Sequence, residues 1–407
     1  MDSYPSEVKG PADPVGKFPT DSPVPVWSDQ IGKYSSKVDC SGDGAYVLAG
    51  SDKGIVRMYN SDGKILWTYH DPEKSVMAVS ITRSGEYGAA ALYDPYVPSD
   101  NAGGEILFFN NRGEILWKYN TGSTVHRLDL SSDGDTLFAS GDTIFYSFNN
   151  SGKLLGMNKT KSTIWAAAAS GDGTMGIAGT GLHDNRIIAM DRDGTVIWNY
   201  PTETYVRAVD ISETGDVFVG TERYRLSWLN RNGTPVWQFN SSPPFTDVAI
   251  SADGRYCVAS SQYFLRFFNN TGTQLWRYED NGYVNSVAIS RNGDYIIGGS
   301  EYATLLFDKS GHIIWKYPTG TTHVSASEDG MYFAASSSYD VYFFNREGSK
   351  KVMAAPTTDR SNNPDNVSVI TSSPVTAPAK STLLSLSGII SAIICAIAIV
   401  ITRKKRQ

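Results

Sequence analysis

Few side chains in this 407-residue chain stand at spacings that perform chemistry. The five histidines, His70, His126, His183, His312 and His323, are scattered, and none lies at a metal-binding interval from another ligand. The three cysteines, Cys40, Cys257 and Cys395, form no CxxC pair and no disulfide framework. No Ser-His-Asp order, P-loop, dinucleotide fingerprint or zinc pattern is present in the chain. Asp191-Arg192-Asp193-Gly194 begins like a calcium loop but lacks the later ligands, and it is one of eight equivalent turns. The expectation is no metal and no cofactor.

Binding chemistry remains. His126, Trp165 and Arg207 occupy one position in consecutive copies of a repeat, and an imidazole, an indole and a guanidinium together suit an anionic or sugar-like ligand. In the other copies that position holds Ser36, Met77, Thr246, Asn285 and Thr322, of which Asn285 joins the candidates. A second column, six residues before a later turn, reads Gly54, Gly104, Thr143 and Asn185, then Tyr224, Tyr263, Tyr302 and Tyr339. Four tyrosines along half a rim suit carbohydrate or protein contact. The bland alternative for both columns is packing, at a channel rim or on each hairpin.

The repeat that positions these residues has two turns per copy. The first is Ser/Thr-x-x-Gly, from Ser41–Gly44 to Ser327–Gly330. The second is Asn/Asp-x-x-Gly, at Asn60, Asn110, Asn149, Asp191, Asn230, Asn269, Asp308 and Asn345. Asx bonds the backbone ahead of it and Gly takes the left-handed conformation. Between turns lie apolar runs of about five to seven residues, so each copy holds four strands. A Trp follows the second turn at 67, 117, 198, 237, 276 and 315, with Gly156 in its place in the third copy. The two insertions, Tyr93–Gly104 and Gly181–Arg186, both fall between second and third strands.

Eight units near 40 residues with four strands each predict an all-β, eight-bladed β-propeller over about 24–352. The eighth copy lacks its last strand, and Val24-Pro25-Val26-Trp27 reads as that missing piece, closing the ring from the N-terminus. Domains follow as a leader at 1–22, the propeller at 23–352, a Thr/Ser/Pro-rich disordered stalk at 353–382 and a transmembrane helix at 383–401. Leu383–Ile401 is 19 residues without a charge, long enough as a helix to cross about 28 Å of hydrocarbon.

A basic tail, 402–407, follows and places the C-terminus in the cytoplasm and the propeller outside the cell. That topology calls for an N-terminal signal, and the leader shows no apolar core. The expectation is that the true start lies upstream, in preference to an inward-facing tail anchor. The net charge of −6, with scattered basic residues, excludes a general nucleic-acid binder.

The tag Gly194-Thr195-Val196-Ile197-Trp198, preceded by Ala189-Met190-Asp191, resembles the docking motif of pyrroloquinoline-quinone-type repeats. Segments such as 286–295 and 247–256 resemble the first hairpin of WD-repeat propellers. With stalk and anchor, the arrangement is similar to surface proteins of methanogenic archaea. The quinone-type resemblance implies a blade-docking role for Trp67, Trp117, Trp198, Trp237, Trp276 and Trp315, and Trp27 joins them through the closing strand. The adjacent cysteine pair of the quinone enzymes is absent here. The expected function is therefore a non-catalytic, membrane-anchored propeller that binds a protein or glycan. The alternative is an enzyme at the channel mouth: a quinone-dependent oxidoreductase, hydrolase or lyase.

Overall fold

A computed structural model of the protein describes residues 22–32, 37–97, 103–222 and 224–348, and the backbone of 368–371. The described residues contain 33 strands and no helix. Eight antiparallel meanders, each running from an inner to an outer strand, form blades 1 to 8 at 37–70, 75–120, 125–159, 164–201, 206–240, 245–279, 284–317 and 323–345. The inner strand of blade 1 packs between those of blades 2 and 8, which closes the ring. This is the eight-bladed propeller that the repeat predicts.

Local chemistry explains the regularity. In the first turn of blade 1, Ser41 Oγ donates to Asp43 Oδ1 at 2.8 Å and accepts from Tyr46 N at 3.0 Å. In the second, Asn60 Oδ1 accepts from the backbone of Asp62 and Lys64 at 3.1 and 2.8 Å. Gly63 then takes φ of 83°, with the Trp27 ring packed so close that a Cβ would lie 2.5 Å from it. Only glycine fits there.

The closing strand is Trp27–Gln30, antiparallel to Asp340–Asn345, with Trp27 opposite Phe343. It lies three residues later than the strand read at 24–27, although Val26 N still donates to Phe343 O at 2.7 Å. Asp29 fastens this strand to blade 1, accepting from Arg57 and from the Tyr59 hydroxyl, both at 2.8 Å.

Ser368–Thr371, within the stretch read as a stalk, pairs parallel to the outer strand of blade 1, with Ser368 opposite Trp67. A strand there is something the spacer composition does not foretell. The rest of that stretch, and the span read at 383–401, lie outside the described residues. Among the described residues, no helix is long and apolar enough to cross a membrane.

Candidate functional site

Among the described residues, six blades carry a one-residue bulge where the inner strand begins. In blade 3, Val125 faces Gly141 and Arg127 faces Ser140, so His126 is the extra residue. The same interruption isolates Met77, Trp165, Arg207, Thr246 and Asn285. A bulge frees one side chain from the ladder and re-aims it. These residues line a cavity of about 860 Å³ at one mouth of the channel, within the usual range for small-molecule sites.

Within that cavity, His126 Nε2 lies 2.9 Å from Asp142 Oδ1, and its ring is 5.5 Å from that of Trp165. Trp165 is 48% exposed, and Arg207 is exposed with no hydrogen bond or ion pair among the described residues. Asn285 is turned to structure, its amide donating to Thr321 O at 2.9 Å. Thr246 and Thr322 are likewise spent on neighbouring backbone carbonyls.

Tyr224, Tyr263, Tyr302 and Tyr339 sit at the turns between second and third strands of blades 5 to 8, and are 42–59% exposed. The meander places those turns on the same face as the mouth. The ring of Tyr302 lies over Gly282, leaving no room for a Cβ there.

One residue further along the inner strands lies a set that the variable column did not include, past the bulge in blades 3 and 6 and at the start of an unbulged strand in blades 1 and 8. Lys37, Arg127, Asp247 and His323 point into the channel from blades 1, 3, 6 and 8. Lys37 Nζ is 2.7 Å from His323 Nε2, and Arg127 Nη1 donates to the His126 carbonyl at 3.0 Å. Burial, then the nearby Arg127 charge, pushes Lys37 down to about 7. Burial, with Lys37 and Arg127 adding to it, holds His323 well below the ordinary imidazole range. Both shifts favour the neutral forms, so the positive charge of this wall rests on Arg127 and Arg207, beside Asp247.

Deeper in the channel, Asp39, Asp129 and Asp210 each tie one blade to the next. Their carboxylates accept from Ile81, Ala169 and Ile250 backbone N–H groups at 3.0, 2.9 and 2.8 Å. Burial pushes Asp129 and Asp210 up to about 7. A raised carboxyl in a channel suggests acid–base work. Here the oxygens are committed to holding blades together, and among the described residues no group of three His, Cys, Asp or Glu could hold a metal.

The far end of the channel is plugged. Arg83 and Arg291 alternate with Glu213 and Glu328, in blades 2, 7, 5 and 8. Glu213 Oε2 takes both guanidiniums, at 2.8 and 2.9 Å. The first-turn column that supplies these four residues also differs from copy to copy, so comparing copies there would have found them.

The tryptophans are at blade junctions. The indole N–H groups of Trp67, Trp117, Trp198, Trp237 and Trp276 donate to carbonyls of Asn111, Asn150, Arg231, Asn270 and Lys309, in the next blade's second turn, at 2.9–3.1 Å. Trp27 stacks on Tyr59 of blade 1 at 4.8 Å, and the Trp315 ring packs tilted against Phe344 of blade 8 at 5.0 Å. Asp191 Oδ1 accepts from Asp193 and Thr195 backbone, as a turn cap.

The adjacent cysteine pair of the quinone enzymes has no counterpart here. Cys40 and Cys257 are buried, unpaired and in different blades, and burial pushes the Cys40 thiol up to about 12.

Blades docked by an outer-strand tryptophan, around a channel open at one end, define a pyrroloquinoline-quinone-like repeat propeller. The chain belongs to the family described as outer membrane protein assembly factor BamB, which matches it over residues 20–182, 102–214 and 183–379. No curated protein matches it. The likeness to surface proteins of methanogenic archaea rests on the sequence alone.

Proposed function

We propose that this protein is a non-catalytic binding propeller whose open face receives a protein or glycan partner. One observation carries the reading: the Arg83–Glu213–Arg291–Glu328 cluster blocks one end of the channel, while the other end opens between exposed aromatic side chains. Exposed tyrosines on four successive blades form a contact surface of the kind that dominates binding hot spots. The family's description as an assembly factor accords with a partner-binding role. Catalysis finds no support in the channel, where the raised carboxyls bind backbone.

Leu383–Ile401 would anchor the chain in a membrane, with the basic tail in the cytoplasm and the propeller outside. Protease added to intact cells then removes the propeller. Protection until lysis overturns that orientation.

The binding reading is tested by retention of envelope proteins and glycans on the immobilised full-length chain. The Tyr263→Ser/Tyr302→Ser double variant should lose that retention at unchanged thermal midpoint. Equal retention by both proteins refutes it.

A further inference from the structure

We infer that the floor of the open mouth is a binding site for an acidic sugar, a ring carrying a carboxylate or phosphate group. The inference rests on the binding reading above and names the ligand class of its central well.

Three features converge. Arg127 and Arg207 come from blades 3 and 5 into one cavity, and each presents a planar fork matched to a two-oxygen anion. Arg207 has no competing hydrogen bond or ion pair among the described residues. Arg127 spends one N–H on the His126 carbonyl, which leaves donors on the same guanidinium for a ligand. Asp247 lies in the same layer, where its carboxylate accepts the backbone N–H groups of Val287 and Val248, both at 3.0 Å. Its negative charge offsets part of the Arg127 charge and leaves Arg207 outside any pair.

Beside this pair stands Trp165, nearly half exposed, with His126 behind it held by Asp142. An indole supported on one side presents a flat apolar surface on which a sugar ring stacks. The well is a blind one, since the arginine–glutamate plug closes its far end. A blind well with one cationic corner and one flat wall takes a single ring with a charged substituent. An extended acidic peptide would need a groove that continues past the well.

Calorimetric titration of the full-length chain in detergent tests this, using glucuronic acid, glucose 6-phosphate and glucose at low salt. At least one of the two acids should bind at a single site, tenfold or more tighter than glucose. Comparing them separates carboxylate from phosphate. Arg207→Gln removes a side chain with no structural partner, so it should keep the wild-type thermal midpoint and weaken the acid tenfold or more. The Arg127→Gln/Arg207→Gln variant should abolish it, and Trp165→Ala should weaken acid and glucose alike. The inference is overturned by absent binding, by equal affinity for glucose, by unchanged affinity in Arg207→Gln, or by an Asp-rich peptide that binds where both sugars fail. If the sugars fail while retention that depends on Tyr263 and Tyr302 persists, only this inference falls and the binding reading stands.

Discussion

The Ser147 hydroxyl donates to the Arg192 carbonyl at 2.8 Å, across the junction of blades 3 and 4. Five other junctions use an indole N–H for the same bond, to the residue in the same turn position. Blade 3 has Gly156 where those blades have Trp, and Gly156 packs directly on the Gly194 backbone. Serine from the neighbouring strand thus supplies the missing donor. Ser147→Ala should cost about 1 kcal/mol in urea unfolding, because it removes the hydrogen bond that the buried Ser147 hydroxyl makes across the junction. An unchanged midpoint would show that the bond carries no stability.

The tryptophans should not weigh equally. Trp67 is buried and packs edge-on against Phe109 of the next blade, whereas Trp198 is only partly buried. Trp67→Ala should cost about 3–5 kcal/mol, in the range of buried aromatic truncations. Trp198→Ala should cost clearly less. Chemical denaturation of the two variants ranks them, and equal losses would contradict a burial-based account.

Glu213 joins Arg83 of blade 2 and Arg291 of blade 7, so one carboxylate holds parts of the ring far apart in sequence. Glu213→Gln should lower stability by about 1–3 kcal/mol, since two guanidiniums then share Glu328 alone. High salt should narrow the gap between variant and wild type. A variant as stable as wild type at low salt would remove the plug from the list of closure devices.

Stability should pass through a shallow minimum near pH 7. Asp129 and Asp210, raised by burial to about 7, bind more protons folded than unfolded between about 4 and 7, so stability falls as pH rises there. Lys37, lowered to about 7, binds fewer protons folded than unfolded above that pH, so stability then recovers. Unfolding midpoints from pH 5 to 9 check the shape. Asp129→Asn/Asp210→Asn should flatten the acid limb, and a maximum near pH 7 would contradict these assignments.

Much of this was legible in the sequence. Ser41–Gly44 and Asn60–Gly63 announce the turns because a side-chain cap and a left-handed glycine leave a fixed signature. The orphan Trp27 announces closure for the same reason, although the strand proper begins at that residue and not before it. The column of His126, Trp165 and Arg207 was visible as variation at a constant place, but the bulge that turns these side chains into the mouth has no marker in the chain. Lys37, Arg127, Asp247 and His323 escaped for a related reason. In blades 3 and 6 a bulge shifts the alternation of facing by one, so Arg127 and Asp247 also look into the channel, while Lys37 and His323 open inner strands that carry no bulge. The Arg83–Glu213 bond joins residues 130 apart and belongs to the ring's geometry, which no local pattern records.

The central claim is that the open face binds a partner through its aromatic rim. Surface plasmon resonance of envelope extracts over immobilised full-length protein, wild type beside Tyr263→Ser/Tyr302→Ser, measures it most directly. The account predicts saturable binding to the wild type and at least tenfold weaker binding to the variant. Saturable binding of equal strength to both would contradict it.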